Sequence, residues 1–160
     1  MIRYVIAILL AVALLGLSTV AIDHVSHNNS QQQMENNVES IESAAESLVT
    51  NEEVPPPGQH GAQRVITVEL PEDSLTSDPV THFEIRPADG NTTTIEYRID
   101  GGATVQRTIS VPIVYEPRGS LELGSPSGTT YELTLVLTAD ENGDPVVTIW
   151  EDDAAVDHPR

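Results

Sequence analysis

Residues 91–111 read NTTTIEYRIDGGATVQRTISV, two alternating runs on either side of a glycine pair. Ile95, Tyr97 and Ile99 recur at every second residue before the pair. Val105, Ile109 and Val111 face one way after it, with Arg107 interrupting that face. Successive side chains of a strand point to opposite faces, so this period predicts two half-buried strands. Gly101-Gly102 supplies the positive φ angles of a tight hairpin turn between them.

The same period extends outward in both directions. RVITVEL (64–70) places Ile66, Val68 and Leu70 on one face, and THFEIRP (81–87) places Phe83 and Ile85 together. TYELTLVLT (130–138), with Tyr131, Leu133, Leu135 and Leu137, is the clearest half-buried strand, and DENGD turns it into PVVTIW (145–150). The intervening SVPIVYEPRGSLELG (110–124) is broken by Pro112 and Pro117, which suits edge strands. About seven short strands separated by turn signals predict an antiparallel all-β sandwich over 64–152. The acidic tail, 153–160, is expected to be disordered.

On the N-terminal side the period changes to that of a helix. In SQQQMENNVESIESAAESLVT (30–50), Met34, Val38, Ile41, Ala45 and Leu48 follow steps of 4, 3, 4 and 3. That is the seam of a helix packed along a partner, flanked by Glu35, Glu39, Glu42 and Glu46. The partner is either another subunit, including a second copy, or this chain's own β-domain. The stalk helix is assigned to 23–53, with residues 23–33 polar and solvated or loosely packed. VPPPGQHG (54–61) stops it, and 54–63 form a stiff Pro/Gly linker.

Ahead of the stalk, MIRYVIAILLAVALLGLSTVAI holds no charge from Tyr4 to Ile22. A membrane helix needs about 20 apolar residues, with a range from roughly 17, so 1–22 reads as a transmembrane anchor. Thr19-Val20-Ala21 is an acceptable cleavage site, and a secretory signal is the competing reading. Arg3 and the amino terminus orient the N-terminus to the cytoplasm, leaving the rest outside. The fold class expected is α+β: a transmembrane helix, an amphipathic stalk helix and a β-sandwich head. The location expected is the cell membrane, crossed once.

Composition narrows the partners. The net charge is −18, from 25 Asp plus Glu against 7 basic residues, all Arg. Nucleic acid is excluded, because phosphate contacts need clustered basic residues. With no Cys there is neither a disulfide nor thiolate chemistry. The loss of Lys and the carboxylate excess resemble proteins of extremely halophilic archaea, where multimolar salt screens repulsion within about 3 Å at 1 M.

The order of apolar helix, amphipathic helix and β-rich head resembles type IV pilins and pseudopilins, and the uncharacterised membrane-anchored families of haloarchaea with that layout. The resemblance implies a subunit of a pilus-like or secretion-like surface assembly.

Few residues suggest chemistry. Asp140, Asn142 and Asp144, with Glu151 at the twelfth position, match the oxygen spacing of a calcium loop, although Pro145 stands where that loop needs Gly. An acidic hairpin turn is the simpler reading. Asp23, His24 and His27 share a helical face that could hold a metal. Asn28 and Asn91 begin Asn-x-Ser/Thr sequons, candidate glycosylation sites. Gly124-Ser125-Pro126-Ser127-Gly128 lacks the order of a nucleophile elbow and reads as a turn. No catalytic residue and no cofactor is assigned. The expectation is a non-enzymatic, membrane-anchored extracytoplasmic surface protein. The alternative is an exported module that binds a glycan or an ion.

Overall fold

The computed structural model describes residues 2–56, 58–115, 119–123 and 128–151, with residues 2–4, 11, 13–24 and 151 described as backbone only. Among these residues one helix, α1 (Ile2–Asn51), precedes eight strands: β1 (Gln63–Glu69), β2 (Val80–Ala88), β3 (Thr92–Ile99), β4 (Thr104–Ile109), β5 (Ile113–Tyr115), β6 (Leu121–Glu122), β7 (Thr130–Ala139) and β8 (Pro145–Glu151). They form two four-stranded sheets, β1-β7-β8-β5 and β4-β3-β2-β6.

Alternation decides what each sheet buries. Phe83 and Ile85 of β2, Ile95, Tyr97 and Ile99 of β3, and Leu133, Leu135 and Leu137 of β7 all face the common core. The hairpin between β3 and β4 closes through a bond from the Gly102 amide to the Ile99 carbonyl. Only Gly101 of the pair takes a positive φ, +68°, the position at which a type II turn demands Gly.

One strand pair departs from the antiparallel sandwich expected. β5 pairs with β8 in parallel, Val114 opposite Thr148. A parallel pair needs a long connection, and β6 and β7 supply it. The chain changes sheets between β4 and β5. There the buried Thr93 hydroxyl donates to the Val111 carbonyl at 2.8 Å and accepts the Ile113 amide at 2.7 Å, tying β3 to β5.

The helical seam is part of this core. Met34, Ile41, Ala45 and Leu48 are fully buried and Val38 is nearly so, in one cluster with Val68, Tyr97, Leu135 and Val147. The helix lies against β1, β7 and β8 of one sheet and β3 of the other. Four large seam side chains contribute an upper bound of about 6–12 kcal/mol by burial. Asn37 completes the contact, donating from its carboxamide to the Glu69 carbonyl at the end of edge strand β1 at 2.8 Å.

Three expectations are corrected here. The seam serves this chain's own sandwich, so its five apolar residues are not an outward surface. The region 23–33 is not loosely packed where it is described: Ser26 and Ser30 are buried against the 71–79 loop. Nor does the 54–63 linker stand clear of the sandwich. The Gly61 amide bonds the Leu137 carbonyl at 2.8 Å and the Leu137 amide bonds the Ala62 carbonyl at 2.9 Å.

The transmembrane helix and the single-pass membrane location are also corrected. Among the described residues, no helix is long and apolar enough to cross a membrane. The side chains at 13–24, including the cleavage motif at 19–21, lie outside the described residues, as does the tail at 153–160.

Candidate functional site

The calcium reading fails on geometry. Asp140 Oδ1 accepts the amides of Asn142 and Asp144, each at 2.8 Å, and Oδ2 accepts the Asn142 carboxamide at 3.3 Å. The Asp144 amide bond is the first cause holding the Asp140 carboxyl below its ordinary range. Gly143 turns the chain with φ +89°. The carboxylate is thus consumed by its own hairpin turn. Glu151 ends the seven-residue strand that follows, about 20 Å along it, out of reach of any shared ion. Its side chain lies outside the described residues.

Of the helical trio, Asp23 and His24 lie outside the described side chains. His27 Nδ1 is 3.2 Å from Asp78 Oδ2, while the Ser26 hydroxyl donates to Asp78 Oδ1 at 2.8 Å. The Ser30 hydroxyl donates to the Asp78 carbonyl and accepts its amide, both at 2.8 Å. Serine, histidine and aspartate meet here, but serine and histidine both address the aspartate, so no base is set to activate a hydroxyl. The arrangement fastens the 71–79 loop to α1.

Both sequons share one geometry. Asn28 and Asn91 are exposed, Asn91 with φ 63°, whereas their third residues, Ser30 and Thr93, are fully buried with engaged hydroxyls. Of the 124–128 stretch only Gly128 is described, with φ +84° and its amide on the Leu70 carbonyl at 2.9 Å.

Two constellations were not legible in the sequence. The outward face of the second sheet carries Glu122, Glu84, Glu96 and Gln106 in one registered row across β6, β2, β3 and β4. Like charges directly opposite are destabilising, so the row needs counter-charges. Arg86 lies 3.5 Å from Glu96, and His82 lies 3.7–3.9 Å from Glu84, Glu96 and Glu122. The Gln106 carboxamide donates to Glu96 at 2.5 Å and is the first cause lowering the Glu96 carboxyl, with Arg86, His82 and Arg98 adding to it against burial. Among the described residues, no group of His, Asp or Glu side chains is arranged to hold a metal ion.

The second constellation lies on the other sheet. Trp150, half exposed, meets the His60 ring edge-on at 5.3 Å and 87°. A cleft of about 200 Å³ opens beside them. Strand β8 aims Trp150 outward, opposite Thr134 of β7, and the pinned 54–63 segment brings His60 to it.

No curated protein and no solved structure matches the chain. A family model described as a domain of unknown function (DUF7311) matches residues 1–152, helix and sandwich together, and the chain belongs to that family.

Proposed function

We propose that the protein is a non-enzymatic structural subunit that joins other copies of itself through the first turns of α1 and presents an acidic β-sandwich to solvent. The observation that carries this reading is the contrast along one helix. The seam at 34–48 is spent inside the fold, whereas Val5, Ile6, Ile8, Leu9, Leu10 and Val12 are 54–64% exposed. At 100° per residue these six side chains span about 200° of the helix, roughly twice the stripe that packing on one surface requires. A helix with so wide an apolar arc needs neighbours on more than one side, which favours a bundle of three or more chains over a pair. With −18 on each chain, the heads repel one another, and salt screening relieves that repulsion.

The test is light scattering of the full chain after size exclusion, in low and in multimolar salt. The expected result is a salt-favoured multimer of at least three chains, reduced to a monomer by Leu9→Glu with the melting temperature of the sandwich unchanged. A wild-type monomer in both salts, or a Leu9→Glu multimer of unchanged size, would refute the proposal.

A further inference from the structure

We infer that the cleft between Trp150 and the 58–60 segment is a binding site for a neutral pyranose ring. Trp150 is the only tryptophan of the chain, and it is 50% exposed while Phe83 and Tyr97 are buried. Its strand points it away from the core, so core packing does not account for its large side chain. The apolar C–H face of a sugar is the complement of an exposed aromatic ring that carries a polar surround, because an aromatic side chain joins an apolar body to a polar tip.

The surround is built and held in place. The Gln59 amide bonds the Pro56 carbonyl at 3.0 Å, and Gly58 takes φ +81° in that turn, with open space where a Cβ would stand. The bonds between Gly61, Ala62 and Leu137 fix the segment on β7, and the His60 ring packs perpendicular to the indole, holding its orientation. Thr138 and Thr148 also line the cleft, their hydroxyls 3.0 Å apart; Thr138 donates to the Val146 carbonyl, which leaves oxygen lone pairs to accept from ring hydroxyls. The cleft therefore offers one carboxamide, one imidazole and hydroxyls around one aromatic face, a set suited to ring hydroxyls.

Charge and size select further. In a chain of net charge −18, no carboxylate lines this cleft among the described residues, so it offers a cation no counter-ion. The negative field of the chain disfavours an anion. A volume of about 200 Å³ is below the roughly 300–1,000 Å³ of pockets for drug-sized ligands, which fits one ring of a longer glycan.

The single tryptophan makes the test direct. Emission of the full chain is titrated with glucose, N-acetylglucosamine, the acyclic polyol sorbitol and tetramethylammonium chloride. The expected result is a saturable change with at least one pyranose and none with sorbitol. Gln59→Ala, at an exposed position outside the core, should weaken that binding about three- to tenfold, the worth of one neutral hydrogen bond, without moving the melting temperature. Saturation transfer to the sugar C–H protons gives a second reading, abolished in Trp150→Leu. The inference is overturned by no saturable response to either sugar, by equal responses to glucose and sorbitol, or by saturation with tetramethylammonium alone. It fails equally if Gln59→Ala binds as tightly as the wild type.

Discussion

Replacing Ile41 by Ala tests where the helical seam spends its apolar surface. Ile41 is fully buried at the centre of the seam, in one cluster with residues of both sheets. Losing that burial removes about 1.5–3 kcal/mol of transfer free energy for a whole side chain, and the cavity left behind adds to the loss. Measured Ile→Ala changes in cores cost about 2–5 kcal/mol. At roughly 4 °C per kcal/mol for a domain of this size, the melting temperature should fall by about 8–20 °C. The assay is thermal unfolding followed by circular dichroism in the near ultraviolet, which reports on the sandwich aromatics, run beside light scattering for association. The reasoning is refuted if Ile41→Ala lowers the oligomeric state and leaves the melting temperature within a degree or two. That outcome would place the seam against a neighbouring chain.

Two further predictions concern titratable groups. The Tyr97 hydroxyl is buried with no hydrogen-bond partner among the described residues, so Tyr97→Phe should leave stability unchanged or raise it by about 1 kcal/mol, read by denaturant unfolding. Burial first, then the Glu35 charge, raise the Tyr97 phenol against the pull of Arg107, so the folded state resists its ionisation and stability falls as pH rises above the ordinary value near 10; Tyr97→Phe should remove that loss and resist alkaline unfolding better than the wild type. The Asp140 carboxyl is lowered by its turn bonds, so its contribution is present above the unfolded value of about 3.9 and lost as pH falls further; Asp140→Asn should flatten the acid limb of the stability–pH curve, and an unchanged limb would contradict the turn assignment.

Local pattern was readable where a side chain's period alone decides its environment. The alternations at 64–70, 95–99 and 131–137 lie on β1, β3 and β7 because a pleated strand allows one face inward. The 4-3-4-3 spacing marked the seam equally well but not its mate, since any apolar surface satisfies that spacing, whether of another subunit or of the chain's own sandwich. The anchor reading rested on an uncharged run, and charge count alone does not say what meets the helix. Register was out of reach: nothing in the order of residues placed Glu122, Glu84 and Glu96 on one line across three strands. The same holds for His60 and Trp150, brought together by backbone bonds to Leu137 from a segment whose prolines suggested a stiff linker.

The two sequons set folding and modification in competition. Ser30 fastens the 71–79 loop to the helix, and Thr93 ties one sheet to the other, so each sequon's hydroxyl is one the fold itself consumes. A nascent chain presents both hydroxyls to a transferase and a finished one presents neither, although both asparagines stay at the surface. A glycan on Asn28 or Asn91 would therefore record the order of events, attached before the core closed, and its absence would mean that closure came first.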